Sequence, residues 1–234
     1  MPLCGVSLTE PRGISYYWGQ DLDGEPDTLW GLEGYTDAAG FFEGHPASDV
    51  FKREMAKVDN EKLLAQDYDL KHYDFAGGWL KRPDDLAKDS NQLHVAVLHF
   101  FASKGQRDKL ISRLVDLAET ARKEGPAVSS CGVLKEVNHA DIATLWVRYV
   151  GLKRPGFVYF VILYPHAYPL LPDGDLMTAI HRTNTPSDFA SFQPSDAYRK
   201  AIDELQAAGA VERTELHQSR TFIGHLDNKP LCEQ

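Results

Sequence analysis

The stretch Thr28–Arg53, TLWGLEGYTDAAGFFEGHPASDVFKR, decides how the rest of the chain is read. It opens like a strand, with apolar or aromatic residues at Leu29, Trp30, Leu32 and Tyr35. From Ala38 the pattern turns helical, because Ala38, Ala39, Phe42 and later Val50 and Phe51 fall at helical spacing. Pro46 disfavours a helical residue before it, and Ser48 suits the N-cap of a helix over Asp49 to about Val58.

A weaker copy of this stretch lies further on. TLWVRY at Thr144–Tyr149 repeats TLWGLEGY at Thr28–Tyr35, and TPSDFASFQPSDAYRK at Thr185–Lys200 repeats TDAAGFFEGHPASDVFK at Thr36–Lys52. Self-similarity on this scale implies two related structural units.

Working outward, Gly13–Gln20 reads as a strand, and Leu22–Pro26 as a turn that folds Thr28–Tyr35 back as a hairpin partner. Tyr68–Leu80 alternates as a strand, with Gly77-Gly78 as a bulge. The charged run Lys81–Gln92 reads as a solvated linker. Leu93–Phe101 is a β-branched and aromatic strand, and Arg107–Lys123 carries an apolar stripe expected of an amphipathic helix. Strands follow at Ala127–Val137 and Ile142–Val150, a helix at Ser195–Gln206 and a closing strand at Val211–Gly224.

The expected fold class is therefore α+β, with two ferredoxin-like units. Residues 83–92 link a first unit over residues 1–82 to a second over residues 93–234. The second unit has the full β-α-β-β-α-β order; the first shows β-β-α-β and lacks its first strand and helix. The repeat register also exposes an insertion at about Val150–Arg182, which reads either as a lid or as a gene-model artefact such as a retained intron.

The 234 residues are 43% hydrophobic, enough for one large core or two small ones. A formal net charge of -9 argues against nucleic acid, whose phosphates need a basic face. The most apolar run, Phe157–Leu171, is too short and too broken by Pro165, His166 and Pro169 to span a bilayer, so no membrane partner is expected. Cys4, Cys131 and Cys232 form no CxxC pair, which fits reduced thiols in a cytoplasmic protein.

Glu10-Pro11, Trp30, Tyr35, Phe42, His45, Ser48, Asp49 and Phe51, and again Trp146, Tyr149, Phe189, Ser195, Asp196 and Tyr198, carry a resemblance to the antibiotic biosynthesis monooxygenase (ABM) domain, and within it to tandem fungal proteins. The resemblance implies a dimeric α+β barrel, closed within one chain or by a homodimer, with a pocket between sheet and helices in each unit. It also implies a reaction without cofactor: oxygenation of a small aromatic polyketide or phenol by O2 in secondary metabolism. Haem-degrading relatives resemble Ser48–Lys52 but have a haem-ligating His where this chain has Met55. No HxxxH or HxH spacing offers a metal site instead.

Such chemistry needs a dry aromatic pocket, one base and donors for developing negative charge. His45 and His99 are the candidate bases, with Trp30, Tyr35, His72, Trp146 and Arg148 as candidate substrate contacts. Each has a plainer reading. Trp30 and Trp146 suit a core, His45 a cap or surface position, and His72 and Arg148 a solvated strand face. His99 faces inward if Val95 and Val97 do, and then equally suits a satisfied core residue. The same pocket could instead run a proton-transfer reaction such as a dehydration, cyclisation or decarboxylation, or the chain could be a non-catalytic small-molecule-binding or assembly protein.

Overall fold

The computed structural model describes residues 2–83, 85, 93–149 and 203–226. The expected insertion at Val150–Arg182 and most of the expected helix Ser195–Gln206 lie outside these residues, although 203–207 are helical. The elements are α1 (Pro2–Thr9), β1 (Gly13–Asp21), β2 (Leu29–Tyr35), α2 (Asp49–Glu61), β3 (Tyr73–Trp79), β4 (His94–Ala102), α3 (Arg107–Glu124), β5 (Val128–Glu136), β6 (Ile142–Tyr149) and β7 (Val211–Leu226).

All seven strands join one antiparallel sheet in the order β2-β1-β7-β4-β6-β5-β3, curled into a half-barrel. The strands before Lys81 split between its two ends. β1 pairs with β7 on one side, and β3 pairs with β5 on the other. Both tryptophans of the repeat stand opposite a glycine in the neighbouring strand: Gly19 faces Trp30, and Gly132 faces Trp146. A side chain at Gly19 would come within 2.9 Å of the Arg220 carbonyl oxygen, so the close approach requires glycine.

The two faces of the sheet hold different cores. Ala96, Leu98, Phe100, Leu145 and Val147 pack against Leu110, Leu114, Leu117 and Ala118 of α3, as the stripe in α3 requires. The alternate residues Tyr17, Val95, Trp146 and Leu134 form a second cluster on the opposite face. Leu32 of β2 and Tyr73 of β3, from the two ends of the strand order, both pack against that cluster. Only a curled sheet brings such distant strands together, so this face is the inside of the curl.

Two expectations are corrected. A helix, α1, precedes β1 where none was assigned. Its apolar Leu3, Val6 and Leu8 spread around the helix and leave no periodic stripe to read. The run after β3 is also more than a solvated linker. Arg82 donates to the carbonyl oxygens of Val128 (2.8 Å), Arg122 (2.9 Å) and Gly125 (2.9 Å), closing the C-terminal end of α3, and its guanidinium lies 4.7 Å from the Trp79 ring centre. Asp85 forms an ion pair with Arg148.

Thr28–Arg53 folds largely as its sequence predicts. Ser48 Oγ accepts from the Phe51 amide at 3.1 Å and caps α2. The preceding turns are π-helical at Gly40–Gly44 and 3-10 at His45–Ala47, a looser and a tighter variant that the periodicity does not resolve. β3 is shorter than the expected Tyr68–Leu80, but its bulge falls at Gly77 and Gly78, whose φ angles are +153° and +81°. β2 and β3 are the sheet edges, and the exposed Leu29, Phe42, Leu63, Leu64, Leu70 and Phe75 all lie on or between them in the chain. No helix among the described residues is long and apolar enough to cross a membrane.

Candidate functional site

The sequence-selected residues fall into two places separated by the sheet. On the outer, helix-covered side of β1, strand alternation turns Tyr16 and Trp18 away from Tyr17, which points inward. His45 is brought over Tyr16 by the 3-10 turn. Its carbonyl oxygen accepts from the amide and the hydroxyl of Ser48 at 3.2 and 2.8 Å, so one serine fixes both the start of α2 and the backbone of His45. The ring is only 1% exposed, and its centre lies 5.9 Å from that of Tyr16 and 5.3 Å from that of Phe51. This burial overturns the reading of His45 as a surface residue.

His45 Nδ1 lies 2.7 Å from Glu10 Oε1. A carboxylate only accepts, so Nδ1 carries the hydrogen, and in the neutral ring the lone pair stands on Nε2. Nε2 and Glu10 Oε2 are both buried, and neither has a hydrogen-bond partner among the described residues. Among the described residues Nε2 is thus an unfilled acceptor, which suits a ligand that brings a donor or an acidic proton.

The surroundings are aromatic. Tyr16 stacks on His225 of β7, its register partner, with centres 6.0 Å apart and planes 14° apart. Burial, reinforced by Glu33, pushes the Tyr16 hydroxyl well above its ordinary range. Burial and Glu33 do the same to Tyr35, whose hydroxyl donates to Glu33 at 2.8 Å. Both phenols stay neutral donors at ordinary pH.

The second place is the inside of the curl. There His99 Nδ1 lies 2.8 Å from Thr144 Oγ1, and its ring centre is 5.6 Å from that of His217. His217 in turn stacks on Trp30 at 4.2 Å, and Trp30 Nε1 donates to Asp21 at 2.8 Å. Burial, followed by the neighbouring His217, lowers the His99 pKa to about 4, so the ring is neutral at pH 7. Trp146 packs edge-on to Tyr17 at 5.7 Å.

Arg148 is fully buried there. Its Nε donates to Ser130 Oγ at 2.9 Å, and its Nη2 bonds to Asp85 and, at 3.2 Å, to the Ser129 carbonyl oxygen. The guanidinium is thus held by protein acceptors. The cavity between Tyr17, Trp30, Val95, Val97, Trp146 and Ser219 measures about 10 Å³, room for roughly one water.

Trp30, His99, Trp146 and Arg148 therefore share the inner face, while His45 and Tyr35 belong to the outer layer. His72 reaches Tyr35 only through Phe41; its ring sits 5.5 Å from Phe41, which packs edge-on to Tyr35 at 5.7 Å, and 6.1 Å from Phe42, beside the start of β3. Glu10, Tyr16 and His225 were not singled out as functional by the sequence. Glu10 stood out only among the residues that carry the family resemblance, and Tyr16 could have been placed by strand alternation. His225 reaches the site through β1–β7 pairing across the two halves, which no local pattern records.

No protein-family model matches the sequence, and no curated protein sequence matches it. Solved structures do match. A candidate monooxygenase from Lactobacillus acidophilus superposes with a TM-score of 0.61 at 11% identity, over 96% of this chain and 86% of that one. A candidate monooxygenase from Fusobacterium nucleatum gives 0.57 at 10% identity, over 96% and 85%. The fold is thus similar to that of these two proteins. An anthrone oxidase-like protein matches with a TM-score of 0.53 at 12% identity, over 98% of this chain and 85% of that one. At these identities the likeness is one of architecture, and the chemistry must be argued from the side chains.

Proposed function

We propose that this protein is a cofactor-independent oxygenase acting on an anthrone-like phenolic molecule, with His45 as the base. The observation that carries the reading is His45 Nε2: a buried ring nitrogen without a hydrogen-bond partner among the described residues, on a ring held at Nδ1 by Glu10 beneath aromatic side chains. The solved anthrone oxidase-like protein and the two candidate monooxygenases of similar fold support the reaction class. Further support for an ABM-type tandem comes from β7-β4-β6-β5, which is the ferredoxin-like strand order, and from the glycine opposite a tryptophan in both hairpins.

The steps balance for an anthrone. Nε2 removes one proton from the methylene carbon, and the carbanion passes one electron to O2. The radical pair combines into a peroxide, which takes the proton back from the imidazolium. Nε2 then removes the second methylene proton as the O–O bond breaks, giving the quinone carbonyl and hydroxide. Hydroxide receives that proton, so one substrate and one O2 give one quinone and one water. Neutral Tyr16 lies beside the ring to donate to the enolate oxygen. Access requires α2 to shift; none of its residues is fully buried, although Phe51 covers the ring.

Oxygen uptake with an anthrone tests this. His45→Ala should lower the rate at least about 100-fold, the scale of a lost general base, while His99→Ala stays within a few-fold. Equal rates for wild type and His45→Ala would end the proposal. Turnover that persists without oxygen would favour a proton-transfer reaction at the same base. The edge strands β2 and β3 also leave a surface for a second copy, which a light-scattering mass would reveal.

A further inference from the structure

We infer that Glu10 is a positioning residue: it selects the tautomer of His45 and so decides which ring nitrogen serves as the base. This rests on the oxygenase reading above for its catalytic consequence, though not for its structural one.

Glu10 follows α1 by one residue and precedes β1, and its backbone is fixed on both sides. Its amide donates to the Ser7 carbonyl oxygen at 3.3 Å, and its carbonyl oxygen accepts from the Gly13 amide at 3.2 Å. The carboxylate is therefore delivered by the joint between helix and strand rather than by a free side chain. It meets His45 from a point 35 residues away in sequence, at 2.7 Å and with only 11% of its side chain exposed. A free neutral histidine favours the hydrogen on Nε2, which would leave the buried Nε2 site without a lone pair. An acceptor at Nδ1 reverses that preference. The Tyr16 and Phe51 rings then limit rotation of the imidazole, so the carboxylate sets both tautomer and orientation.

The test reads the ring nitrogens directly. Two-bond 1H–15N spectra of the histidines, with His45 assigned by its loss in His45→Gln, should show a protonated Nδ1 and a bare Nε2 in the neutral wild type. In Glu10→Met the majority of the ring should switch to hydrogen on Nε2, whereas Glu10→Gln keeps an acceptor of the same length and should retain the wild-type form. Glu10→Met should lower kcat at least about tenfold with KM within twofold, and Glu10→Gln should recover most of the loss. A wild-type ring already carrying its hydrogen on Nε2, or an unchanged tautomer in Glu10→Met, overturns the inference. Absence of anthrone turnover in the wild type overturns the oxygenase reading instead, and the spectra then decide the role of Glu10 alone.

Discussion

Acidification should destabilise this fold through His99 in a window that the structure defines. The ring is 4% exposed, and burial with the neighbouring His217 lowers its pKa from 6.5 to about 4. For a base held below its unfolded value, the unfolded chain binds more protons between those two pH values. The stabilising contribution is thus complete above pH 6.5 and is lost as the pH falls towards 4. A gap of roughly 2.5 pH units corresponds to about 3 kcal/mol. Urea unfolding from pH 7.5 to 4 should therefore show the wild type losing about 3 kcal/mol more than His99→Asn. The substitution itself costs packing at every pH, so the informative quantity is the difference in slope. Parallel curves for the two proteins would refute the assignment of a buried, neutral His99.

Other consequences follow from particular contacts. Asp85→Ala should cost about 3 kcal/mol because it removes a carboxylate paired with the buried Arg148, and adding Arg148→Met should recover much of that in chemical denaturation. Gly78→Ala should lower stability by about 3 kcal/mol or more, measured as a fall in Tm. A Cβ there would lie 2.2 Å from the Cys131 carbonyl oxygen at a φ of +81°.

The strands and α3 were legible because their residues satisfy local periodicity and packing at once. The period-2 alternation of β4 correctly sends Val95 and Val97 into the inner cluster, with His99 bonding to Thr144 of the paired β6. Ser48 was readable as a cap because its hydroxyl acts within three residues. What escaped is non-local. Arg82 and Asp85 look like solvated charges until α3 and β6 supply carbonyls and a guanidinium from 40 or more residues away. The sheet also separates residues that composition alone would pool into one pocket. His45 and Trp30 lie 15 residues apart yet on opposite sides of it, because Trp30 alternates inward while the turn after β2 climbs over the outer face. The partner of His45 comes from the joint between α1 and β1, and α1 has no periodic stripe to reveal it.

The most direct measurement is isotopic. Wild-type protein is incubated with an anthrone under 18O2 in ordinary water, and the quinone formed within the first turnovers is weighed by mass spectrometry. Direct oxygenation by O2 places one 18O atom in the new carbonyl, in a product formed at least about 100-fold faster than with His45→Ala. A quinone whose new oxygen comes from water, or one formed equally fast without His45, would contradict it.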